Sequence, residues 1–329
     1  MRNSIIIGSG SYAPERVLPN SYFNELLGED VDTWLQTNLT IKERRWCNEN
    51  QSTADLCVEA ANKALRNSGI KAEEIDLLII STDTPEYISP STASVVQHRI
   101  GAVNAGTFDL NTACAGFVTA LDTANKFIRA DENYKFVLVI GAYAMSKYLD
   151  MTDKKTVTLF ADGAGAVVLK SVENTDRGQL TSKLHTEGQY AEWMGIYAGG
   201  THKPVNHSVI DAKDHLLKFV KKFPKEINPT MWTKMIKESC GRINISPNDI
   251  SHYFFTQINI NTIWETLDNL GVDRNRAHTI MDRFGYTGSA CIPMAFDDAM
   301  LKGKLNEGEI VCFMGSGGGL AFANAIYKL

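Results

Sequence analysis

The sequence predicts an α/β fold built from two halves. Short β-rich runs alternate with amphipathic helical segments along the chain, which is the α/β signature. Several of the runs are continuously apolar, as strands buried on both faces require. The length of 329 residues allows two domains, or one of double size, with an ample core.

The elements follow in order. "SIIIGSG" from Ser4 is a first strand. "STADLCVEAANKALRNSG" opens on a Ser/Thr cap, places Leu56, Ala60 and Ala64 on one face and ends at Gly69, so it is a helix. "EIDLLIIST", "YKFVLVIGA" and "GAGAVVLKS" are buried strands. Between the first and second of these strands, Ala113 to Ala130 reads as a helix, with Phe117, Leu121, Ala124 and Ile128 at helical spacing. The pattern weakens from Val172 to Val209, where "GGTHKPVNHSV" reads as a loop joining two halves, 1–171 and 172–329. Beyond it, "KDHLLKFVKKF" is expected as a helix and "ISHYFFTQI" as a strand. "TIWETLDNLG" and "CIPMAFDDAMLKG" are expected as helices. "EIVCFMGSGGG" is a strand running into a glycine loop, and "LAFANAIYKL" a final strand.

Bulk properties exclude several classes. The formal net charge of -5 argues against nucleic acid or an anionic membrane surface as the main partner. No apolar run approaches the roughly 20 residues of a transmembrane helix, and the apolar start at Ile5–Ile7 is too short for a signal peptide. The six cysteines (Cys47, Cys57, Cys114, Cys240, Cys291, Cys312) are scattered without a CxxC pair, so neither a zinc site nor a disulfide framework is expected and a reducing, cytoplasmic setting fits. "GSGSYA" at Gly8 to Ala13 loosely matches a dinucleotide loop. Pro14 and an extended "ERVLPN" follow where a helix N-terminus is needed, so a tight turn is expected instead.

Chemistry concentrates at "NTACAGF". Cys114 lies just before the helix, where the dipole and free N–H groups depress a thiol pKa, and small neighbours leave it accessible. An inert buried thiol is the competing reading, and local sequence alone favours it. "GSGGG" at Gly315 to Gly319 exposes backbone N–H groups suited to a developing oxyanion, or marks a β-bulge.

The wider pattern resembles the β-ketoacyl-ACP synthase III family of the thiolase-like superfamily, collinearly over nearly the whole chain. The segments that carry it are "DLNTACAGF", "DTWLQTNLTIKERRW", "TLFADGAGAVVL", "DAKDHLLKFV", "DRFGYTGSACIP" and "GSGGGLAFANAIYKL". The resemblance implies a thiolase-like fold, two pseudo-symmetric halves stacked in five layers (αβαβα), usually as a homodimer. It implies a cysteine that takes an acyl group from a thioester, with the oxyanion held by the N–H of Cys114 and that of Gly318. The substrate would be an acyl-CoA or an acyl carrier protein thioester, with no resident cofactor and no metal.

The family's His and Asn, which help a malonyl thioester decarboxylate, fall at Thr256 of "TQIN" and Tyr286 of "GYTG". Each offers one hydroxyl donor, but neither shuttles a proton near neutral pH. No other histidine is well placed. His252 is about 13 Å up the strand from Thr256, His278 reads as structural, and His202 and His207 lie in the connection. His215, near the expected tunnel wall with Leu216, is the best of the group. Trp34 matches the family's CoA-binding Trp. The two family Arg positions beside it are Asn38 and Lys154, and Asn261 replaces a further Arg on an acidic helix. Asn259 keeps the pantetheine position. Ser89 takes the place of a bulky residue that limits acyl length. Three readings follow: acyl transfer through Cys114, decarboxylative condensation with an altered pair, or a silent subunit of an active homologue.

Overall fold

The apolar runs become the inner strands of two sheets. The computed structural model describes residues 2–329. In the first half, β1 (Arg2–Tyr12), β2 (Leu77–Ser81), β3 (Gly106–Leu110), β4 (Phe136–Ala144) and β5 (Asp162–Glu173) form one mixed sheet in the order β1-β5-β4-β2-β3. In the second half, β6 (Gly178–Thr186), β7 (His252–Phe255), β8 (Ile310–Gly317) and β9 (Ala321–Lys328) form another in the order β7-β8-β9-β6. The pairings repeat. An edge strand runs antiparallel to a long strand, that strand antiparallel to the next, and the next parallel to its neighbour. The counterpart of β3 in the second sheet shrinks to one parallel bridge, Tyr253 to Ala277.

The helices fill the remaining layers. α1 (Thr53–Ser68) and α2 (Thr92–Ile100) cover the outer face of the first sheet. α4 (Ile227–Arg242) covers the second, with α5 (Ile260–Leu270) packed beside it. α3 (Gly116–Ala130) and α6 (Cys291–Leu301) touch both sheets and form the middle layer. The outcome is the expected five-layered αβαβα stack.

Local chemistry explains the boundaries. α1 begins at a capping box in which the Ser52 N–H donates to the Asp55 carboxylate at 2.7 Å, and it ends at Gly69 with φ 71°. The central layer needs close approach to the first sheet. A Cβ on Gly165 of β5 would lie 2.7 Å from the Pro293 backbone of α6, and one on Gly141 of β4 would lie 2.3 Å from the Ser289 carbonyl.

Several sequence expectations differ from the structure. Residues 213–223 are turns and a two-residue strand, Lys218–Phe219, and not a helix. There the Leu217 N–H donates to the Tyr148 carbonyl, a tertiary bond that a helix would forbid. The segment "GSGSYA" is no turn, because β1 runs through it to Tyr12. Its glycines instead admit α1, since a Cβ on Gly8 or Gly10 would sit within 2.6 Å of Ser68 or Ala64 respectively. The weak region after Val172 contains β6, and α4 arises where no helix was read, with Pro229 tolerated in its first turn. α3 starts at Gly116, which leaves Cys114 in the preceding turn.

Gly165→Ala is expected to lower stability by about 1–3 kcal/mol through overpacking. Gly188→Ala, where nothing lies within 4 Å, is expected to be neutral. Denaturant midpoints of the two variants check this.

Candidate active site

β3 ends at Leu110, and the chain then turns through Asn111–Ala115 into α3. The Asn111 carboxamide oxygen accepts the Ala113 N–H at 2.9 Å, and Ala113 adopts φ 46°, a left-handed conformation unfavourable for alanine. This strained residue aims Cys114 toward the second half. The C-terminal glycine loop closes on it from there. A Cβ on Gly317 would lie 2.4 Å from the Cys114 nitrogen, and one on Gly315 would lie 2.9 Å from the Ala115 Cα. Gly318 follows at the Ala113 methyl and the Met194 carbonyl, and its N–H donates to no carbonyl among the described residues.

The sulfur is almost fully enclosed, with Cys114 2% exposed. Burial pushes its thiol well above the ordinary range, with the Asp83 carboxylate the next cause in the same direction. This corrects the expectation of a thiol depressed by the helix. The Tyr286 hydroxyl works against burial by donating a hydrogen bond to the sulfur. Tyr286 is itself clamped by the first half. Its N–H donates to the Leu159 carbonyl and its carbonyl accepts from the Ala161 N–H, both at 2.9 Å, and its ring packs on Phe160 at 5.4 Å. The "TLFADGAG" segment thus positions a side chain from the other half.

Thr256 behaves differently from expectation. Its hydroxyl accepts the Ser316 N–H at 2.9 Å and donates to the Ser316 carbonyl at 3.3 Å, so both capacities go to bracing β8. No histidine is among the main influences on the Cys114 thiol. His278 is buried and paired with Asp298 at 2.7 Å, His202 and His207 are exposed, and His215 sits in a turn beside a half-buried Leu216.

Of the residues expected to bind substrate, Trp34 lies on the Asp32–Leu39 helix and Asn259 at the start of α5. Trp34 is 54% exposed. Asn259 caps α5, its side-chain oxygen accepting the Asn261 N–H at 3.0 Å. The Asn261 amide in turn donates to the Asn38 carbonyl at 2.9 Å, so two positions expected as arginines join the two elements. Lys154 pairs with Glu29 at 3.0 Å on the surface. Ser89 is exposed in a loop with Tyr87 and Ile88. Sequence reading missed Asp83, which "STDTPEY" presents as an ordinary turn residue. A surface cleft of about 540 Å³ lined by Arg2, Lys135 and Lys170 contains none of these residues.

Two stacked halves with a cysteine at the N-terminal end of a central helix, covered by a C-terminal glycine loop, define a thiolase-like protein. The chain belongs to the 3-oxoacyl-[acyl-carrier-protein] synthase III family. The family's two models match residues 108–188 and 240–329. Similar proteins include the beta-ketoacyl-[acyl-carrier-protein] synthases III of Natranaerobius thermophilus and Clostridium perfringens, 34% and 37% identical, with all of each chain covered. The crystal structure of 3-oxoacyl-[acyl-carrier-protein] synthase III from Aquifex aeolicus superposes with a TM-score of 0.90 at 29% identity, over 99% of this chain and 100% of that one.

Tyr286→Phe removes the donor to the sulfur and is expected to raise the thiol pKa further. A hydrogen bond to a charged group contributes about 1.5–3 kcal/mol, so iodoacetamide alkylation of Cys114 at pH 7 should slow by about tenfold or more. The pH profile of alkylation, followed by mass spectrometry, checks this.

Proposed function

We propose that this enzyme takes an acyl group from an acyl-CoA or acyl carrier protein thioester onto Cys114 and passes it to an acceptor. One observation carries the reading: the Cys114 sulfur receives the Tyr286 hydroxyl while Gly317, at the end of β8, lies against the Cys114 backbone. The N–H groups of Cys114 and Gly318 serve as the oxyanion hole. No resident cofactor takes part, because the thioester is the substrate.

The same geometry argues against efficient decarboxylation. That step uses two free donors on a malonyl thioester carbonyl. Here the Thr256 hydroxyl is held by Ser316 and the Tyr286 hydroxyl by the sulfur. The retained thiol contact disfavours a silent subunit. Trp34 offers an exposed stacking face for the nucleotide end of CoA, and Asn259 retains a free amide for the pantetheine arm. The exposed Tyr87 and Ile88 beside Ser89 suit a homodimer contact. Six free cysteines fit a reducing, cytoplasmic setting. Among the described residues no helix is long and apolar enough to cross a membrane.

Incubation with acyl-CoA is expected to add one acyl mass to the intact protein and none to Cys114→Ala. Adding malonyl-thioester should yield little CO2. No adduct with any acyl thioester overturns the reading, and stoichiometric CO2 release restores condensation. Trp34→Ala is expected to raise KM for acyl-CoA about tenfold, ~1.4 kcal/mol, with kcat and the KM for a short pantetheine thioester unchanged. Steady-state kinetics on both donors check this.

A further inference from the structure

The acyl-transfer reading leaves a buried thiol without an evident proton acceptor. β2 and β3 are parallel neighbours, with Ser81 opposite Leu110 at their C-terminal ends. Asp83 lies two residues past one end and Cys114 four residues past the other. The loop that carries Asp83 is rigidly held. The Thr82 N–H donates to the Leu110 carbonyl at 3.2 Å, and the Thr84 N–H to the Thr82 hydroxyl at 3.0 Å. The Thr84 hydroxyl accepts the Ala144 N–H at 2.9 Å, and the Thr84 carbonyl accepts the Thr53 hydroxyl at 2.6 Å. The flanking threonines are thus fully used, while the Asp83 carboxylate is not. Asp83 is half-buried as a residue, but its Oδ1 is shut off from solvent and has no hydrogen-bond partner. So rigid a mounting for an unpartnered carboxylate oxygen is costly unless it serves a function.

We infer that Asp83 is the proton acceptor for Cys114, taking the thiol proton during acyl loading and returning it to the departing thiol. The sulfur attacks the thioester carbonyl carbon as its proton passes to Asp83, directly or through one water. The new carbon–sulfur bond forms, the carbon–sulfur bond to the donor breaks, and the donor thiolate takes the proton from Asp83. One proton and one acyl group have exchanged places, and the carboxylate is restored. Electrostatics favour this coupling. A thiolate beside a fixed carboxylate is repelled, but a thiolate that forms as Asp83 becomes neutral is not. The titratable groups facing Asp83 are Cys114, Tyr143 at the end of β4 and Tyr148 in the following turn, with Glu86 further along its own loop. No lysine, arginine or histidine contributes to its shift, and burial holds its pKa up at about 7.

The inference rests on Cys114 acting as the acyl acceptor, and the test separates the two. The rate of adduct formation from acyl-CoA is measured from pH 5.5 to 9 for the full chain and for Asp83→Asn. The expected result is a rising limb near pH 7 in the native protein. In Asp83→Asn that limb is lost and the rate falls at least tenfold at pH 8, with circular dichroism unchanged. An aryl thioester donor, whose leaving group needs no proton, should recover part of the loss, and Asp83→Glu should restore part of the limb. Should Asp83→Asn fold poorly, Asp83→Thr carries the same expectation. Loading by Asp83→Asn at the native rate and pH profile overturns the inference while leaving acyl transfer intact. No adduct in the native protein overturns the acyl-transfer reading itself.

Discussion

The site depends on backbone meeting backbone without side chains between. The turn at residues 113–115 and the strand end at 315–317 come from opposite halves, and only glycine on the second side lets them touch. Everything else at the site is placed relative to this contact. α3 and α6 hold the sheets at the required separation, and the glycines of β4 and β5 set how deeply α6 sinks. The strain at Ala113 is affordable only because both flanks are fixed, by the Asn111 side chain on one side and by Gly317 on the other.

That closeness has an electrostatic consequence. Enclosing the sulfur removes water, which disfavours the thiolate far more than a helix N-terminus favours it. Tyr286 offsets part of this penalty; it comes from the second half but is gripped by Leu159 and Ala161 of the first, whereas the Asp83 carboxylate, from the end of a neighbouring strand, adds to the penalty on a standing thiolate.

Much of the fold was legible because burial on both faces leaves a plain mark. "LLIIS" and "FVLVIGAYA" are apolar without interruption and became β2 and β4. Cys114 was legible as a cysteine between small residues at a helix start. What failed did so for local reasons. Leu216, Leu217 and Val220 mimic a helical stripe, yet the backbone there is spent on Tyr148 and Trp193. β6 is a sheet edge that is mostly half-buried, and its sequence "GQLTSKLHT" holds no apolar run to mark it. Thr256 looked like a surviving donor because its neighbours match, and only coordinates reveal that Ser316 occupies it. Asp83 carried no signal at all, since burial of a turn aspartate is decided by segments far away in sequence.

The positions expected to bind substrate carry little free positive charge. Asn38 and Asn261 stand where the resemblance implied arginines, and the Asn261 amide ties α5 to the Asp32–Leu39 helix through the Asn38 main-chain carbonyl. Lys154 is partly neutralised by Glu29. A phosphate-rich or acidic partner gains little from such a surface. The exposed face of Trp34 and the Asn259 amide are both uncharged. Larger side chains would meet groups already paired: an arginine at 261 would displace the amide tied to the Asn38 carbonyl, and a histidine at 256 would release Ser316 from its brace.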